Sequence, residues 1–224
     1  AEATCALEQA IGYPIRVLSA QEEARLGFVG ARIDGALGSG TLVDIGGGST
    51  ELTRVRDDVD VCGVSLACGS LSTFTQFVSG ILPTEDEMRA IDQAFGERLR
   101  AIDSMAAPAD AFCAQHLFGV GGSIRAAAKM LAQLRQLSER PTTLTPADLD
   151  ELLGLCVADP NTFAHAALKA CVERIHTVVP GCVILRAVFE ETGATDLRVC
   201  KHGIREGYLM TYVLDRLREG KNDE

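Results

Sequence analysis

The chain alternates short apolar runs, bounded by glycine or by acidic turns, with longer segments whose apolar positions recur at helical spacing. Short runs rich in β-branched residues between such turns are typical of buried strands. The glycines at 46–48 and the acids at 57–58 separate three of these runs. This spacing predicts an antiparallel meander. Strands are predicted at 15–18, 41–45, 49–56, 59–67, 116–120 and 195–200.

Two helix starts are clear from the residue pattern. Ser19 is followed three positions later by Glu22, which is a capping-box pattern, and Thr145 precedes Pro146, a proline suited to the first helical position. One helix is predicted through residue 28, and two or three are predicted from residue 146 to residue 176. Further helices are predicted at 71–77, 85–105, 124–134 and 203–217, with a segment that Pro180 restarts over 183–189. This order of strands and helices predicts an α/β layer architecture.

Composition and charge exclude several classes of protein. The 224 residues are 47% hydrophobic, and a formal charge of −10 argues against sequence-independent binding of DNA, which needs a basic face. No apolar run reaches the length of about 18 residues that a membrane helix needs. The start of the chain lacks a signal-peptide pattern, and the eight cysteines form no C-x-x-C pair. We therefore expect a cytoplasmic protein with reduced thiols.

The most informative stretch is a glycine turn flanked by acids and hydroxyls. Asp44 precedes Gly46-Gly47-Gly48, and Ser49, Thr50 and Glu51 follow the turn. Successive glycines allow backbone N–H groups to converge on one anion, and the hydroxyls add donors. The two carboxylates suit a divalent cation or a water molecule. A tight hairpin turn would explain the glycines alone, but the flanking acids favour a phosphate site.

A second glycine turn, Gly121-Gly122-Ser123, ends one predicted strand and opens a helix. The N-terminus of a helix offers free N–H groups to a phosphate, although a plain strand-to-helix turn explains the pattern equally well. The turn is not a Walker A motif, because no Gly-Lys-Ser/Thr follows. On the helix after Ser19, Glu22 and Glu23 point in different directions, so at most one of them could face a site. A solvated helix start is the alternative for both.

Four segments together carry a family resemblance: 19–26, 44–52, 119–123 and 203–207. In this order and at these spacings they resemble the exopolyphosphatase/guanosine pentaphosphate phosphatase (Ppx/GppA) family, which belongs to the superfamily of actin, Hsp70 and sugar kinases. The resemblance extends from about residue 12 to residue 210. It implies an actin-like ATPase (ribonuclease H-like) lobe, with a mixed sheet that includes the meander and is flanked by helices.

The resemblance also implies roles for individual residues. Glu23 matches the general base that activates the attacking water. Asp44 and Glu51 match the carboxylates that bind Mg²⁺ or another divalent cation and orient that water. The loop of Gly46, Gly47, Gly48, Ser49 and Thr50 matches one phosphate-cradling loop. Gly121, Gly122 and Ser123 match a second glycine turn that faces a nucleotide or phosphate.

The chain resembles only the second lobe of the two-lobed family. It is therefore expected to form one domain over 1–224 with flexible ends at 1–10 and 219–224, to need the first lobe as a partner, and to turn over little substrate alone. A homodimer is compatible with the sequence. The residues at 67–70 depart from the family pattern. His202 departs from it as well, and a position in a surface turn is favoured for His202 over contact with the substrate. Arg205, Arg125 and Lys129 are candidates for phosphate contact, each with a structural alternative.

The predicted activity is metal-dependent removal of the terminal phosphate from inorganic polyphosphate or guanosine pentaphosphate, with water as the nucleophile. No Cys-x₅-Arg or histidine nucleophile pattern is present, which favours direct attack by water. Two alternatives remain open at this point. One is a kinase or ATPase of the same superfamily, and the other is a non-catalytic sensor that binds an alarmone nucleotide or polyphosphate. The sequence leaves the choice between the two substrates open.

Overall fold

The computed structural model describes residues 2–102 and 111–214. Within these ranges the strands form one six-stranded mixed sheet in the order β3-β2-β1-β4-β6-β5. The expected α/β architecture with helices on both faces is confirmed. The strands are β1 (Gly40–Ile45), β2 (Thr50–Arg56), β3 (Val59–Leu66), β4 (His116–Val120), β5 (Thr143–Leu144) and β6 (Asp196–Val199).

The sheet joins an antiparallel meander to a parallel half. Strands β1, β2 and β3 pair antiparallel in sequence, whereas β1, β4 and β6 pair parallel, and the short β5 closes the far edge antiparallel to β6. Asp57 and Asp58 both adopt positive φ, at 50° and 63°, which is the backbone that a tight hairpin turn requires. The predicted meander is therefore confirmed. The carboxyl ends of β1, β4 and β6 lie at the same edge of the sheet.

Helices cover the two faces of the sheet unequally. The larger core contains Val43, Ile45 and Leu52 and packs beneath the helices that follow β3, while the smaller core contains Leu42 and Phe118 and packs beneath the helix that begins after Ser19. Neighbouring strand residues therefore point to opposite cores, as the pleat requires. The helices are α1 (Glu2–Ile11), α2 (Ala20–Ala31), α3 (Ser70–Phe77), α4 (Glu85–Ile102), α5 (Gly122–Leu134), α6 (Pro146–Ala158), α7 (Pro160–Cys171), α8 (Val178–Thr192) and α9 (Ile204–Tyr208).

Both predicted helix starts are confirmed. Glu22 accepts a hydrogen bond from the Ser19 backbone N–H at 2.9 Å, and the Ser19 hydroxyl accepts one from the Glu22 N–H at 3.3 Å. Thr145 and Asp148 make the same reciprocal pair ahead of α6. Such caps satisfy the N–H groups that the first turn of a helix leaves free. The cap at Ser19 matters most for function, because α2 carries Glu23.

Several sequence predictions were wrong or fall outside the described residues. Residues 15–18 pair with no strand within the described residues, and Val17 is 72% exposed, so a β-branched run alone did not make a strand. The helix predicted over 203–217 is the short α9 followed by a π-helix, Leu209–Leu214. Pro180 lies inside the first turn of α8 and does not begin it. Residues 103–105, 215–217 and 219–224 lie outside the described ranges. The chain from Glu2 to Ile11 is helical, and its flexibility stays a prediction.

None of the helices in the described ranges is both long enough and apolar enough to cross a bilayer.

Helices α2 and α9 approach each other through glycine. A Cβ atom at Gly207 would overlap the Leu26 carbonyl oxygen, and one at Gly30 would overlap the Gly203 carbonyl oxygen. The two backbones therefore touch at positions where no other residue fits. This close packing holds α2 against the sheet.

We expect Gly207→Ala to destabilise the protein by about 1–3 kcal/mol, because the added methyl forces α2 away from α9. Urea unfolding followed by circular dichroism measures this free energy. Gly154→Ala in α6 is the matched control. Nothing lies within 4 Å of a Cβ placed at Gly154. The control should therefore stabilise the helix by up to about 1 kcal/mol. Equal effects of the two substitutions would contradict the packing described.

Candidate active site

Three polar side chains form a row across the meander, on the sheet face that α2 covers. The strand register places Asp44 opposite Glu51, and Glu51 opposite Ser65. Asp44 and Glu51 are buried, with 8% and 3% of their surface exposed. The Ser65 hydroxyl donates a hydrogen bond to Oε1 of Glu51 at 2.7 Å. The acids that flank the glycine turn are therefore directly adjacent.

Helix α2 brings a third carboxylate to this row. A Cβ atom on Gly27 would lie 3.8 Å from Oδ2 of Asp44, so α2 crosses directly above Asp44. Glu23 is four residues earlier and therefore lies on the same face of the helix. It is half-buried, and this burial, together with the charge of the nearby Glu51, raises its pKa. Glu23 thus lies on the side of α2 that faces the row of acids, and its role as a base stays a prediction.

The grouping of acids changes the proton affinity of Asp44. Burial, followed by the charges of Glu51 and Glu23, raises the pKa of Asp44 to about 7. Arg125 opposes this rise but does not cancel it. Like charges in a low-dielectric site hold protons more tightly unless a cation joins them. The site therefore favours the binding of positive charge among these carboxylates.

The first glycine turn has its carbonyl groups directed to α3. The backbone N–H of Ser70 donates to the Gly46 carbonyl at 2.9 Å, and the N–H of Leu71 donates to the Gly47 carbonyl at 2.8 Å. The N–H of a trans peptide points opposite to its carbonyl. The N–H groups of Gly47 and Gly48 therefore point away from α3. This orientation supports the predicted anion-binding role of the loop.

The hydroxyl groups of Thr50 and Ser49 need separate consideration from the N–H groups of this loop. Thr50 is fully buried, and its hydroxyl donates to the Cys68 carbonyl at 2.7 Å. It lies opposite Ile45 in the sheet and so faces the larger core, which means that the prediction of a phosphate contact for this hydroxyl was wrong. Ser49 is half-buried, and its carbonyl accepts from the Gly46 N–H at 3.0 Å. A phosphate contact by the Ser49 hydroxyl stays a prediction.

The second glycine turn touches the same acid. Gly121 has a φ of 103°, and a Cβ at this position would lie 2.7 Å from Oδ1 of Asp44, so only glycine fits. Gly122 begins α5, whose first N–H groups have no partner within the helix. The side chain of Ser123 is directed elsewhere, because it is buried against Gly181 of α8. The Ser123 hydroxyl therefore points away from the cavity, whereas its backbone N–H lies in the first turn of α5, and a phosphate contact at this glycine turn stays a prediction.

A cavity of about 230 Å³ opens where the two glycine turns meet. Gly46, Gly47, Gly121 and Gly122 lie in its wall beside Asp44, together with three arginines: Arg125, Arg174 and Arg205. Among the residues that the structure describes, none of these arginines forms an ion pair within 4.0 Å. Three unpaired guanidinium groups on a chain of net charge −10 are a strong local attraction for an anion.

Arg174 was missed by the sequence analysis. It ends the short 3-10 helix Val172–Arg174 after α7, and its guanidinium lies against Gly122 so closely that a Cβ there would overlap it. No local pattern marks it, because only the packing of α7 and α8 against α5 brings it to the cavity. Arg125 and Arg205, both left open by the sequence, line the cavity as well.

The remaining candidates lie away from the cavity. Nδ1 of His202 is 2.8 Å from Oδ1 of Asp34, and the Asp34 carboxylate also accepts from the Lys201 N–H. This pairing supports the interpretation of His202 as a surface turn residue. Lys129 lines a separate surface groove beside Arg140. Glu206, by contrast, lies in the wall of the cavity beside Arg205. It caps α9 by accepting from the Gly203 N–H at 2.9 Å, and within the described residues no ion pair joins it to Arg205.

The carboxylates present fit Mg²⁺. This ion is usually held by one or two carboxylates together with substrate phosphates and water. Asp44 and Glu51 provide two such oxygen donors from neighbouring strands. Within 2–102 and 111–214, no three His, Cys, Asp or Glu side chains are arranged to hold a metal by themselves. Glu23 is thus close enough to interact by charge without being arranged as a third ligand.

Comparison with known proteins identifies the group to which this site belongs. The model of the Ppx/GppA phosphatase family matches residues 4–216. The chain belongs to the Ppx/GppA phosphatase family. It is 28% identical over 207 residues to a Haemophilus influenzae protein provisionally named an exopolyphosphatase. It is also 28% identical over 213 residues to the guanosine-5'-triphosphate,3'-diphosphate pyrophosphatase of Pseudoalteromonas atlantica.

Solved structures of the Ppx/GppA family share the fold. A family member from Aquifex aeolicus has a TM-score of 0.74 at 20% identity and matches 96% of this chain and 69% of its own. An exopolyphosphatase from Cytophaga hutchinsonii has a TM-score of 0.76 at 20% identity, over 93% of this chain and 68% of its own. The expected actin-like ATPase lobe is confirmed.

The chain matches its curated Ppx/GppA relatives over only part of their length. The Haemophilus influenzae match covers 91% of this chain but 61% of the relative. The Pseudoalteromonas atlantica match covers 92% of this chain and 40% of the relative. The relatives therefore contain a large region beyond the one described here, as the expected additional lobe requires.

The raised pKa of Asp44 makes a prediction about stability. The folded state binds a proton at Asp44 more tightly than the unfolded state, so stability falls as pH rises from about 4 towards 7. Asp44→Asn imitates the protonated acid and should be more stable than the wild type by roughly 2–4 kcal/mol at pH 8, with little difference at pH 4. Urea unfolding at the two pH values measures this. Asp60→Asn, on exposed β3, is the control, and a gain that does not change with pH would contradict the burial of an ionisable Asp44.

Proposed function

We propose that the complete protein hydrolyses the terminal phosphoanhydride bond of inorganic polyphosphate or guanosine pentaphosphate. One observation carries this proposal: Glu23, Asp44 and Glu51 converge beside a glycine-walled cavity lined with unpaired arginines. Cationic side chains and backbone N–H groups suit a polyanion, and the acids suit a metal and a water molecule. The names of the two curated relatives refer to the same two substrates.

In phosphoryl transfer the arginines, the glycine turns and the acids have different roles. Arg125, Arg174 and Arg205 bind the phosphate oxygens, and the two glycine turns offer N–H groups at close range. Asp44 and Glu51 would hold Mg²⁺, which would supply neutralisation of the charge on the reacting phosphate. These contributions are positioning and charge neutralisation, which supply most of the catalysis in such reactions.

Glu23 acts on the water molecule. The water oxygen attacks the terminal phosphorus, the bond from that phosphorus to the bridging oxygen breaks, and the shortened phosphate chain leaves with the bonding electrons. Glu23 takes the proton that the water loses. Burial and the neighbouring Glu51 raise the pKa of Glu23, and a base works best when its pKa lies nearer the working pH. Burial and the charge of Glu51 thus bring the pKa of the base closer to the working pH.

The composition of the cavity favours water as the nucleophile. Within the described residues, the wall contains no cysteine, histidine, serine or threonine side chain that could form a phosphoenzyme. The hydroxyls of Thr50 and Ser123 are both directed into the core. The carboxylates of Asp44 and Glu206 are the nucleophiles that remain in the wall, but Asp44 is assigned to the cation and Glu206 caps α9. Direct attack by water on the anhydride therefore fits the proposed site better than a covalent intermediate.

Glu23→Gln tests the assigned base in the complete protein, with phosphate release from polyphosphate measured in the presence of Mg²⁺. The substitution keeps the size of the side chain but removes the proton acceptor, so kcat should fall by about 10²–10⁴-fold with little change in KM. Glu22→Gln is the matched control. Glu22 caps α2 and is not part of the acid cluster, and glutamine serves in a capping box as well. The control should keep the wild-type rate.

Other outcomes of the same assay would overturn the proposal. A Glu23→Gln variant with near wild-type release would exclude Glu23 as the base. Transfer of phosphate from ATP to an added acceptor, in preference to water, would identify a kinase. Tight binding of polyphosphate or the nucleotide with no turnover by the wild type would identify a sensor.

A further inference from the structure

The environment of Glu51 raises a question that the proposed roles leave open. Its carboxylate is 97% buried, and it lies beside two other acids, Asp44 and Glu23, whose pKa values it raises. A buried carboxylate normally pairs with a cation or with several donors. In the part of the chain that the structure describes, the only hydrogen bond to the Glu51 side chain comes from the hydroxyl of Ser65.

This single bond selects which oxygen of Glu51 faces the site. The Ser65 hydroxyl donates to Oε1 at 2.7 Å, a distance typical of a strong O–H···O bond to a carboxylate. Oε2 is then left for a metal ion or a water molecule. Ser65 itself extends from β3 in direct register with Glu51, so the sheet fixes the position of the donor.

We propose that Ser65 is a positioning residue that holds the Glu51 carboxylate in the orientation required to bind the metal and the attacking water. The inference rests on the proposed function, but it concerns a residue to which that function assigns no role. Ser65 acts through Glu51 and touches neither substrate nor metal. Partners that orient metal-binding side chains in this way typically contribute 10–100-fold to activity or metal affinity.

Ser65 borders an open cavity, so its side chain can be substituted without disturbing the packing of the core. Ser65 lies in the wall of a cavity of about 560 Å³ between α2 and β3, together with Gln21, Ala24, Thr53 and Gly63. Removing its hydroxyl therefore creates no sealed void in the core. Water from this cavity can replace part of the lost hydrogen bond, so we expect a loss near the lower end of the range.

Thr53 provides a matched control on the same face of the sheet. It lies on β2 two residues from Glu51, it is 4% exposed, and its hydroxyl has no hydrogen-bond partner. Thr53→Val removes a hydroxyl of the same kind from the same wall without removing a contact to any acid. A general sensitivity of this region to substitution would affect Thr53→Val as much as Ser65→Ala.

The experiment compares Ser65→Ala, Ser65→Thr and Thr53→Val in the complete protein. For Ser65→Ala we expect kcat for polyphosphate hydrolysis to fall about tenfold, KM to stay within about twofold, and Mn²⁺ affinity to weaken about tenfold. Mn²⁺ binding is measured without substrate by electron paramagnetic resonance. Ser65→Thr keeps the hydroxyl on a residue suited to a strand and should restore most of both quantities. Thr53→Val should leave both unchanged.

The inference is overturned if Ser65→Ala keeps kcat and Mn²⁺ affinity, if Thr53→Val loses as much as Ser65→Ala, or if Ser65→Thr restores neither quantity. Failure of the proposed function is a separate result, namely a wild-type protein that releases no phosphate. In that case the comparison of Mn²⁺ affinities still decides whether Ser65 orients Glu51.

Discussion

The site depends on three carboxylates held together against their mutual repulsion. Burial and the neighbouring acids raise the pKa of Asp44 to about 7, and Arg125 offsets only part of this effect. An arrangement of this kind lowers the stability of the empty protein at neutral pH. The same repulsion is relieved when a divalent cation or a proton enters, so the energy that destabilises the empty site contributes to binding.

Two features of the fold enforce this arrangement. The register of β1, β2 and β3 places Asp44, Glu51 and Ser65 side by side. The close glycine contacts between α2 and α9 hold α2 against the sheet, so that Glu23 lies over Asp44 and Glu51. The arginines come from the other half of the structure, at the carboxyl ends of the parallel strands, where ligands commonly bind in α/β sheets. Acids and arginines therefore reach one edge of the sheet from separate elements.

Much of this could be predicted from short sequence patterns. The capping box at Ser19, the glycine turn after Asp44 and the proline after Thr145 are local signals, and the structure contains each of them. The phosphate contact predicted for the Thr50 hydroxyl could have been excluded from the alternation of side chains along a strand. Adjacent residues of a strand point to opposite faces, so a site that contains Glu51 could not also contain the side chain of Thr50.

Other features could not be predicted from local patterns. Arg174 reaches the cavity only because α7 and α8 pack against α5, which no short pattern encodes. Ser123 belongs to a glycine turn that lies at the site, yet its side chain is directed to Gly181 by the same packing. Residues 15–18 have the composition of a strand, but within the described structure they have no strand to pair with. Tertiary packing decided all three.

The central claim is that Glu23 lies close enough to Glu51 for the charge of Glu51 to raise the pKa of Glu23. Titration of Glu23, followed by carbon-13 NMR of its carboxyl group, tests this directly in the wild type and in Glu51→Gln. Because the Glu51 charge is one of the two causes that raise the pKa of Glu23, its removal should lower that pKa, and burial should keep it above the ordinary value. An unchanged pKa of Glu23 would show that the two acids do not converge, and the account of the site would be wrong.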